Sequence, residues 1–433
     1  MAQLSNDLKT APSSGSYPTY RDPSPQNAPP RDLPQDLPRD SIARDPSPSA
    51  PSATSPERLR IAFFADTLYA PIGGGVVAAR NVVERLREHH DVAVIGADAL
   101  GPHDAKLAGF MLPFEAMRRS QFVMARPDRQ VISRVLAEAD VVHVQFPFWL
   151  SFVAVDEARR RGLPVVAGFH VQPENALHNV GLHSPTINRA IYRYWVDHLY
   201  GRADAVVCPS GFAERKLREH GLQSPTFVIS NGIPPDLNAD GVEREPHTDG
   251  RFLVLMAGRF AAEKRQEVLI EAVRRSKYAD KIDVVIAGAG PREQELKRLA
   301  AGLPNGADVG LLPRERLRRM FRTADLFVHC SDVELEGIAV LEAMAAGLPV
   351  LVAQSPESAA SELALDERFG FPAGDPAGLA AKLDALIEHP EELARARVEY
   401  RAKTRALEFG NCVDSLVDVY RTVVARKALH AAA

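Results

Sequence analysis

Short, fully apolar runs alternate with longer amphipathic stretches from residue 59 onward. The first unit reads LRIAFFAD, then YAPIGGG, then VVAARNVVERLREHH, then DVAVIGA, which predicts a strand, a glycine-rich loop, a helix and a second strand. Strands that are apolar at nearly every position are typical of a sheet covered by helices on both faces. The pattern therefore predicts a doubly wound parallel α/β fold.

This alternation is interrupted by a polar segment rich in turn-forming residues, PPDLNADGVEREPHTDG at positions 234–250. A new series begins after it with the strand FLVLMAGR and the helix EKRQEVLIEAVRRS. We predict two Rossmann-like domains, at residues 58–235 and 250–409, and a C-terminal helix at about residues 410–430 that completes the first domain. Because ligands of such folds bind at the carboxyl ends of strands, both domains are expected to face one shared cleft.

Residues 1–57 differ in composition from the rest of the chain. They contain 12 of the 33 prolines and repeat the pentapeptide RDPSP at positions 21–25 and 44–48. A segment with so few periodic apolar positions cannot bury enough surface to offset the entropy lost on ordering, so we predict a disordered tail. The composition leaves open whether the tail is a solvated spacer or docks a partner.

Charge and cysteine content narrow the class of protein. The 433 residues include 52 Lys and Arg against 56 Asp and Glu, and this net charge of -4 argues against a general nucleic-acid binder. No apolar run reaches the roughly 18 residues needed to cross a bilayer, and the first residues lack the pattern of a secretory signal. Three widely spaced cysteines form neither a zinc motif nor a disulfide framework. We expect a cytoplasmic location.

The most informative segment is SDVELEGIAVLEAMAAGLPVLVA, at positions 331–353. Glu334 follows a predicted strand, Gly337 allows close backbone approach where the next helix opens, and Glu342 lies inside that helix. The first N–H groups of the helix, at residues 338–340, have no partners within it and favour an anion such as phosphate. Two glutamates at this spacing are more often surface charges than ligands, so the flanking sequence decides between the two interpretations.

Glycine turns and cations supply further candidate phosphate-binding groups. In MAGRFAAEKRQEVLIEA, at positions 256–272, Arg259 ends a strand and Lys264 opens the next helix. The two side chains converge only if the loop between them folds back, and together they would neutralise a diphosphate. GAGP at positions 288–291 is a glycine turn between a strand and a helix. The triple glycine at residues 73–75 forms a similar turn but lacks the GxGxxG spacing of a dinucleotide site.

With its flanks, the 331–353 segment resembles the donor-binding signature of the GT4 family of retaining glycosyltransferases, which have the GT-B fold. The pattern G-R-x(4)-K and the turn GAGP also match, and the resemblance extends over nearly all of the chain after residue 58. The segment HVQPEN, the loop PIGGGV and the sequence SDVELEG look most like bacterial diacylglycerol α-glycosyltransferases. The helix that carries the signature ends in the matching residues Glu342-Ala343-Met344-Ala345, Gly347 and Pro349-Val350.

The resemblance implies roles for individual residues, with no metal and no other cofactor. One position departs from the family pattern, because Glu336 stands where members often have phenylalanine, and a further carboxylate there would alter the choice of sugar. The residues expected to act on the donor sugar are His170 and Glu334. Those expected to bind the donor diphosphate are Gly74, Gly75, Arg259, Lys264, Ile338 and Ala339. Those expected to bind the nucleotide are Gly288, Gly290, Leu312 and Glu342.

The resemblance also implies the reaction. A hexosyl unit would pass from a nucleotide sugar, with UDP as the expected nucleotide, to an acceptor hydroxyl with retention of the anomeric configuration. The departing phosphate oxygen would take the acceptor's proton, so a strong side-chain base is not required, and no carboxylate pair with hydrolase-like placement is evident. A remote alternative from another class is an NAD-dependent oxidoreductase, for which the triple glycine and Asp98 are the weak candidate features.

The acceptor is inferred from the charge and aromatic content of the first domain. Residues 58–235 carry 20 Lys and Arg against 17 Asp and Glu, whereas residues 236–433 carry 27 against 32. The stretch at positions 110–130 mixes Phe and Met with basic residues, which indicates a surface for anionic lipid headgroups, although an amphipathic helix packed on its own sheet explains the pattern equally simply. The basic residues of this stretch are Arg118, Arg119, Arg126 and Arg129.

We therefore expect a peripheral enzyme on the inner face of the cell membrane, which glycosylates a lipid acceptor such as diacylglycerol. Two alternatives share the same chemistry: a glycosyltransferase of lipopolysaccharide or exopolysaccharide assembly, and one that acts on a soluble acceptor. The sequence leaves the sugar, the base of the nucleotide, the oligomeric state and any protein partners open.

Overall fold

The structure is a computed structural model that describes residues 58–69, 74–111, 122–178, 184–234, 237 and 250–432. The predicted tail at residues 1–57 lies outside the described residues, as do Gly73, Arg118 and Arg119. Among the described residues, no helix is both long and apolar enough to span a bilayer.

The described residues of the first half of the chain form a sheet of seven parallel strands flanked by helices, and a separate pair of two strands. In chain order the strands are β1 (Arg60–Phe64), β2 (Asp91–Gly96), β3 (Ala105–Lys106), β4 (Gly109–Phe110), β5 (Met124–Ala125), β6 (Val141–Val144), β7 (Val165–Gly168), β8 (Ala205–Cys208) and β9 (Thr226–Val228). The helices are α1 (Gly74–Arg87), α2 (Arg129–Leu136), α3 (Trp149–Arg160), α4 (Pro173–His178), α5 (Pro185–His198) and α6 (Gly211–Glu219). The sheet order is β3-β2-β1-β6-β7-β8-β9, and β4 and β5 form a separate antiparallel pair.

The described residues of the second half of the chain form a sheet of six parallel strands and a separate pair of two strands. The strands are β10 (Phe252–Ala257), β11 (Ile282–Ala287), β12 (Asp308–Gly310), β13 (Leu326–His329), β14 (Val333–Glu334), β15 (Val350–Gln354), β16 (Glu357–Ser358) and β17 (Gly370–Pro372). The helices are α7 (Gln266–Arg275), α8 (Glu293–Ala300), α9 (Arg314–Thr323), α10 (Ile338–Ala345), α11 (Pro376–Glu388), α12 (Pro390–Thr404) and α13 (Phe409–Ala432). The sheet order is β12-β11-β10-β13-β15-β17, and β14 pairs with β16.

Apolar residues on alternate sides of the strands account for the double winding. In β1, Ala62 and Phe64 belong to the hydrophobic cluster on one face of the sheet, and Ile61 and Phe63 belong to the cluster on the other face. All four side chains are buried, because helices cover both faces. The predicted fold class, two doubly wound parallel α/β sheets, is therefore confirmed.

The C-terminal helix α13 returns to the first sheet and packs against it through a buried polar contact. His143 of β6 shares hydrogen bonds with Tyr420 and Gln145: its Nδ1 lies 2.9 Å from the Tyr420 Oη, and its Nε2 lies 2.9 Å from the Gln145 Oε1. Burial lowers the pKa of His143 to about 4, so the ring is neutral. The neutral tautomer with a proton on Nε2 satisfies both contacts, which is consistent with a structural role for His143.

The chain passes between the two sheets twice, once near Ile233 and once just before α13, and these two segments lie side by side. The Ile233 N–H donates to the Leu407 carbonyl over 2.8 Å, and the Phe409 N–H donates to the Ile233 carbonyl over 3.0 Å. Gly232 has a φ of 78°, and a Cβ at this position would lie 2.7 Å from the Phe409 Cα. Only glycine suits both the backbone conformation and the close approach. The linker between the sheets is thereby held against the start of α13.

Candidate active site

The loop after β10 folds back, as convergence of the two predicted cations requires. The side-chain amide of Gln266 donates to the Arg259 carbonyl oxygen over 2.8 Å and closes the loop. The Arg259 Nη2 lies 2.6 Å from Oε1 of Glu263, a carboxylate that is only 1% exposed. The Glu263 carbonyl oxygen also accepts a hydrogen bond of 3.1 Å from the Ser331 hydroxyl, which ties this loop to the one after β13.

The second cation, Lys264, pairs with a carboxylate that the sequence analysis had assigned to the donor sugar. Its Nζ forms an ion pair with Glu334, 70 residues further along the chain, and the Nε2 of His329 lies 3.0 Å from the same carboxylate oxygen. Burial raises the pKa of Glu334, but the charge of Lys264 and the neighbouring His329 outweigh burial and lower the pKa to about 2. Glu334 is therefore a carboxylate at neutral pH.

Glycine turns bring the ends of three neighbouring strands to one edge of the second sheet. A Cβ at Gly288 would lie 1.9 Å from the Gly258 carbonyl oxygen, and a Cβ at Gly290 would lie 2.5 Å from the Phe260 carbonyl oxygen. A side chain fits at neither position, so the loops after β10 and β11 pack directly against each other. Leu312, after β12, is half-buried against the core at the same edge. The predicted nucleotide-binding turn thus adjoins the loop that carries the cations.

The start of α10 provides backbone N–H groups close to Glu334. The Val340 N–H donates to the Gly337 carbonyl over 2.9 Å, which corrects the expectation that all three N–H groups at residues 338–340 are available to an anion. Those of Ile338 and Ala339 are the first of the helix and have no carbonyl of an earlier turn to bind. A Cβ at Gly74 of the first domain would lie 3.6 Å from the Ile338 Cδ1 of the second, so the starts of α1 and α10 lie close together.

Glu342 lies one turn further into α10, within reach of the charges of α9. Burial raises the pKa of Glu342 to about 7, and the charges of Arg314 and Arg318 on α9 oppose this shift. A carboxyl group near its midpoint of ionisation at neutral pH is able both to accept and to donate a hydrogen bond. This arrangement is compatible with the ribose contact that the resemblance implies.

His170 lies at the corresponding edge of the first sheet, just after β7. Burial and the nearby His143 lower the pKa of His170 to about 3, so the ring is neutral and a weak base. Two residues along, the side-chain amide of Gln172 donates to the Glu357 carbonyl of the second domain over 3.3 Å. Helix α4, which follows, packs against the turn at residues 262–264 that carries Lys264. The structure thus places the His170 segment beside the loop that holds the predicted diphosphate cations.

Glu336 does not take the position expected from the sequence. Its carboxylate is 6% exposed, and both of its oxygens bind groups of the first domain. The backbone N–H of Asn231 donates to Oε1 over 3.0 Å, the side-chain amide of the same residue donates to Oε2, and the Ser230 hydroxyl donates to Oε1. The expectation that Glu336 stands beside the donor sugar is corrected, because its oxygens are engaged by the linker between the sheets.

Two residues near the cations were not selected from the sequence. Glu263 holds the guanidinium of Arg259, and His329 adjoins Glu334. His329 ends a strand, as His170 nearly does. Polar residues at the carboxyl ends of strands are typical of ligand sites in this fold, so His329 could have been selected from the sequence. Glu263 lies inside the G-R-x(4)-K segment, but an acidic residue between two cations has no distinguishing pattern.

The candidate ribose ligand of the oxidoreductase alternative makes other contacts. The carboxylate of Asp98, the candidate ribose ligand, accepts a hydrogen bond of 2.6 Å from the Thr67 hydroxyl and bonds of 2.9 Å from the N–H groups of Leu68 and Tyr69. Asp98 therefore stabilises the loop that follows β1. In the part of the chain that the structure describes, no group of three or more His, Cys, Asp or Glu side chains could hold a metal ion.

Two of the four arginines predicted to bind lipid are described. Arg126 is exposed, and Arg129 is exposed but lies 3.8 Å from Asp156, which also pairs with Arg160 and Arg202. An apolar surface adjoins them: Phe110 packs edge-to-face on Trp149, and Phe152 packs on Tyr194. Among the described residues of the first domain, the exposed large apolar side chains include Met111, Trp149, Ile187 and Tyr194.

Comparison with known proteins identifies the family. The sequence model of Glycosyltransferase Family 4 matches residues 72–237, and that of the glycosyl transferases group 1 matches residues 241–405. An α-monoglucosyldiacylglycerol synthase of Streptococcus pneumoniae is 26% identical over 377 residues, which cover 82% of this chain and 84% of that protein. A GDP-mannose-dependent α-mannosyltransferase of Mycolicibacterium smegmatis is 27% identical over 388 residues, 86% of this chain and all of that protein.

Among solved structures, that of Anabaena HepE in complex with UDP superimposes with a TM-score of 0.64 at 18% identity, over 84% of this chain and 100% of that one. A likeness at this identity concerns the fold, which is GT-B. The two family matches together cover most of the chain, which is therefore an enzyme of the glycosyltransferase family GT4, related to diacylglycerol glycosyltransferases. The oxidoreductase alternative is wrong.

Proposed function

We propose that this glycosyltransferase moves a hexosyl unit from a nucleotide sugar to a hydroxyl group of a membrane lipid such as diacylglycerol, with retention of the anomeric configuration. The observation that carries the proposal is the cluster of Arg259, Lys264 and the start of α10, which offers two cations and a helix N-terminus to a diphosphate beside the carboxylate of Glu334. The relative from Streptococcus pneumoniae, named for the synthesis of a glucosyl lipid, supports the lipid acceptor.

The reaction proceeds on the face of the sugar that carries the leaving group. The bond between the anomeric carbon and the β-phosphate oxygen breaks, the bond to the acceptor oxygen forms, and the acceptor's proton passes to the departing phosphate oxygen. Arg259, Lys264 and the N–H groups of Ile338 and Ala339 stabilise the charge that develops on the diphosphate. The low pKa of His170 suits this scheme, because a neutral ring orients the sugar by a hydrogen bond without acting as the base.

The surface that meets the membrane is the exposed apolar and basic region formed by Met111, Trp149, Tyr194 and Arg126, which we call the aromatic surface. Trp149 is the first residue of the helix that follows β6, so it lies at the carboxyl edge of the sheet, the edge that also carries His170. Apolar side chains that enter the headgroup region next to a basic residue would attach the enzyme to the inner face of the cell membrane, with its cleft close to the lipid.

The test of the function is the identity of the product. Purified enzyme is incubated with diacylglycerol in vesicles, with a soluble sugar acceptor, and with UDP-glucose, UDP-galactose or GDP-mannose in turn, and the products are read by mass spectrometry. We expect one hexosyl unit on diacylglycerol, and an α-linkage in the anomeric proton signal of the product. UDP is the nucleotide predicted from the sequence, and GDP-mannose is included because the relative from Mycolicibacterium smegmatis is named for it. Transfer to the soluble acceptor alone would contradict the proposal.

Attachment to vesicles depends on the aromatic surface. We expect Arg126→Glu combined with Trp149→Ser to weaken co-sedimentation with vesicles of phosphatidylglycerol and phosphatidylcholine by at least about fivefold, since one basic residue near an anionic surface contributes about 1 kcal/mol. The control is Val398→Ser, which removes an exposed apolar side chain from the second domain. Unchanged binding of the double variant, or an equal loss in the control, would show that this surface does not carry attachment.

A further inference from the structure

Glu336 links the loop that carries the donor-binding groups to the first domain. The loop from Glu334 to Ile338, which we call the donor loop, begins at the carboxylate paired with Lys264 and ends at the start of α10. Between these ends, the Leu335 side chain is buried among the core residues of the first domain, and its carbonyl oxygen accepts a hydrogen bond from the Ser210 hydroxyl. The centre of the donor loop therefore lies on the first domain rather than the second.

The carboxylate of Glu336 makes three of the contacts that hold the loop there. It accepts hydrogen bonds from the Ser230 hydroxyl and from both the backbone and the side-chain N–H groups of Asn231. The Ser230 hydroxyl oxygen in turn accepts the Gly232 N–H over 3.0 Å, so the network extends into the linker between the sheets. A buried carboxylate is costly unless such donors satisfy it, and here the donors come from the opposite domain.

We propose that Glu336 is a positioning residue, which fixes the donor loop to the linker of the first domain and thereby sets Glu334 and the start of α10 against His170 and the acceptor. This inference rests on the proposed function. The nucleotide turn at residues 288–290 and Arg259 lie outside the network, so these nucleotide-binding groups stay in place without Glu336, whereas the start of α10 belongs to the loop that Glu336 holds. Its loss therefore acts on transfer more than on nucleotide binding.

The experiment compares Glu336→Ala, Glu336→Gln, Asn231→Ala and the double variant Glu336→Ala/Asn231→Ala. We expect Glu336→Ala to lower kcat by at least about tenfold, since small misplacements of reacting groups are expensive, with the Kd for UDP or GDP changed by less than about threefold. Glu336→Gln retains one acceptor oxygen and, after rotation of the Asn231 amide, a second hydrogen bond, so it should retain most of the wild-type kcat. The double variant should be no slower than Glu336→Ala, because the two residues act as one unit.

Hydrogen–deuterium exchange of the same variants measures how firmly the donor loop is held against the linker, and it requires neither an acceptor nor activity. Faster exchange in peptides covering both residues 228–234 and 333–341 of Glu336→Ala, with Glu336→Gln near wild type, supports the proposal even where no lipid product forms. That result separates the positioning role from the proposed function, which the product assay tests. Additive losses of kcat in the double variant would overturn it, since they mean that Glu336 and Asn231 act independently. Unchanged exchange together with an altered preference among nucleotide sugars would also overturn it, since that result means that Glu336 acts directly on the donor. Asn231→Ala tests the same network if Glu336→Ala fails to fold, because it removes the side-chain hydrogen bond to Oε2 while the backbone N–H of residue 231 and the Ser230 hydroxyl still donate to Oε1. It should lower kcat and speed up exchange in the same two segments, by a smaller factor than Glu336→Ala.

Discussion

Replacing Lys264 or Arg259 with alanine is expected to weaken the binding of nucleoside diphosphate and of the intact nucleotide sugar together, by at least about tenfold for each variant. A hydrogen bond to a charged group contributes about 1.5–3 kcal/mol, and a change of 1.4 kcal/mol corresponds to a factor of ten in affinity. Both cations lie on the loop after β10, where Glu263 and Glu334 hold them. Isothermal titration calorimetry with UDP and GDP measures the loss directly.

The neighbouring Arg265 supplies the control for this prediction. Its side chain pairs with Glu267 and Asp332, and it is assigned no contact with the donor. Arg265→Gln removes one positive charge from the same loop, so it should change the affinity by less than about threefold. Unchanged affinity in Lys264→Ala and Arg259→Ala would refute the assignment of these two cations to the donor diphosphate. An equal loss in all three variants would show that the loss is a general effect of charge on this loop.

Replacing Glu334 with glutamine is expected to lower turnover by at least about tenfold while the affinity for nucleoside diphosphate is kept. The substitution preserves the shape of the side chain but removes the negative charge that its low pKa maintains at neutral pH. The contact with the sugar hydroxyls weakens, whereas Lys264 loses its competing carboxylate and becomes more available to the diphosphate. Steady-state kinetics gives the turnover, and calorimetry gives the nucleotide affinity of the same preparation.

A carboxylate on the same domain but outside the site serves as the matched control. Glu362 is half exposed and pairs with Arg215, and an exposed pair of this kind contributes little to stability. Glu362→Gln should therefore leave turnover within about threefold of wild type. Unchanged turnover in Glu334→Gln would show that Glu334 does not act on the donor sugar. A loss of nucleotide affinity that parallels the loss of turnover would show that Glu334 supports binding of the diphosphate instead of the sugar.

Local sequence was sufficient to predict the elements that carry the site. The apolar strands ending near His170 and Arg259, and the helix that starts at Ile338, all lie where the hydrophobic pattern indicated. Each of these ends has a glycine within one residue of it, which local sequence shows directly. The resemblance supplied the chemistry, which the hydrophobic pattern does not contain. Local patterns alone thus located the edges of the two sheets but not the contacts made there.

The direction of the Glu336 side chain is the clearest case in which local sequence failed. In sequence it lies between Glu334 and the phosphate-binding helix, so its charge was placed beside the sugar. Its hydrogen-bond partners, Ser230 and Asn231, precede it by more than 100 residues. A buried carboxylate turns towards whichever donors satisfy it, and these donors are present only after the two domains have packed.

The sequence by itself determined the class of fold, the order of its elements and the short motifs of the GT4 family, because hydrophobic period and turn chemistry act over a few neighbouring residues. Only the tertiary structure decided that Lys264 pairs with Glu334, that His143 meets Tyr420 and that Glu336 binds the linker. These contacts join residues from 70 to 277 positions apart. Their formation depends on the packing of both sheets, and neither residue of a pair indicates its partner on its own.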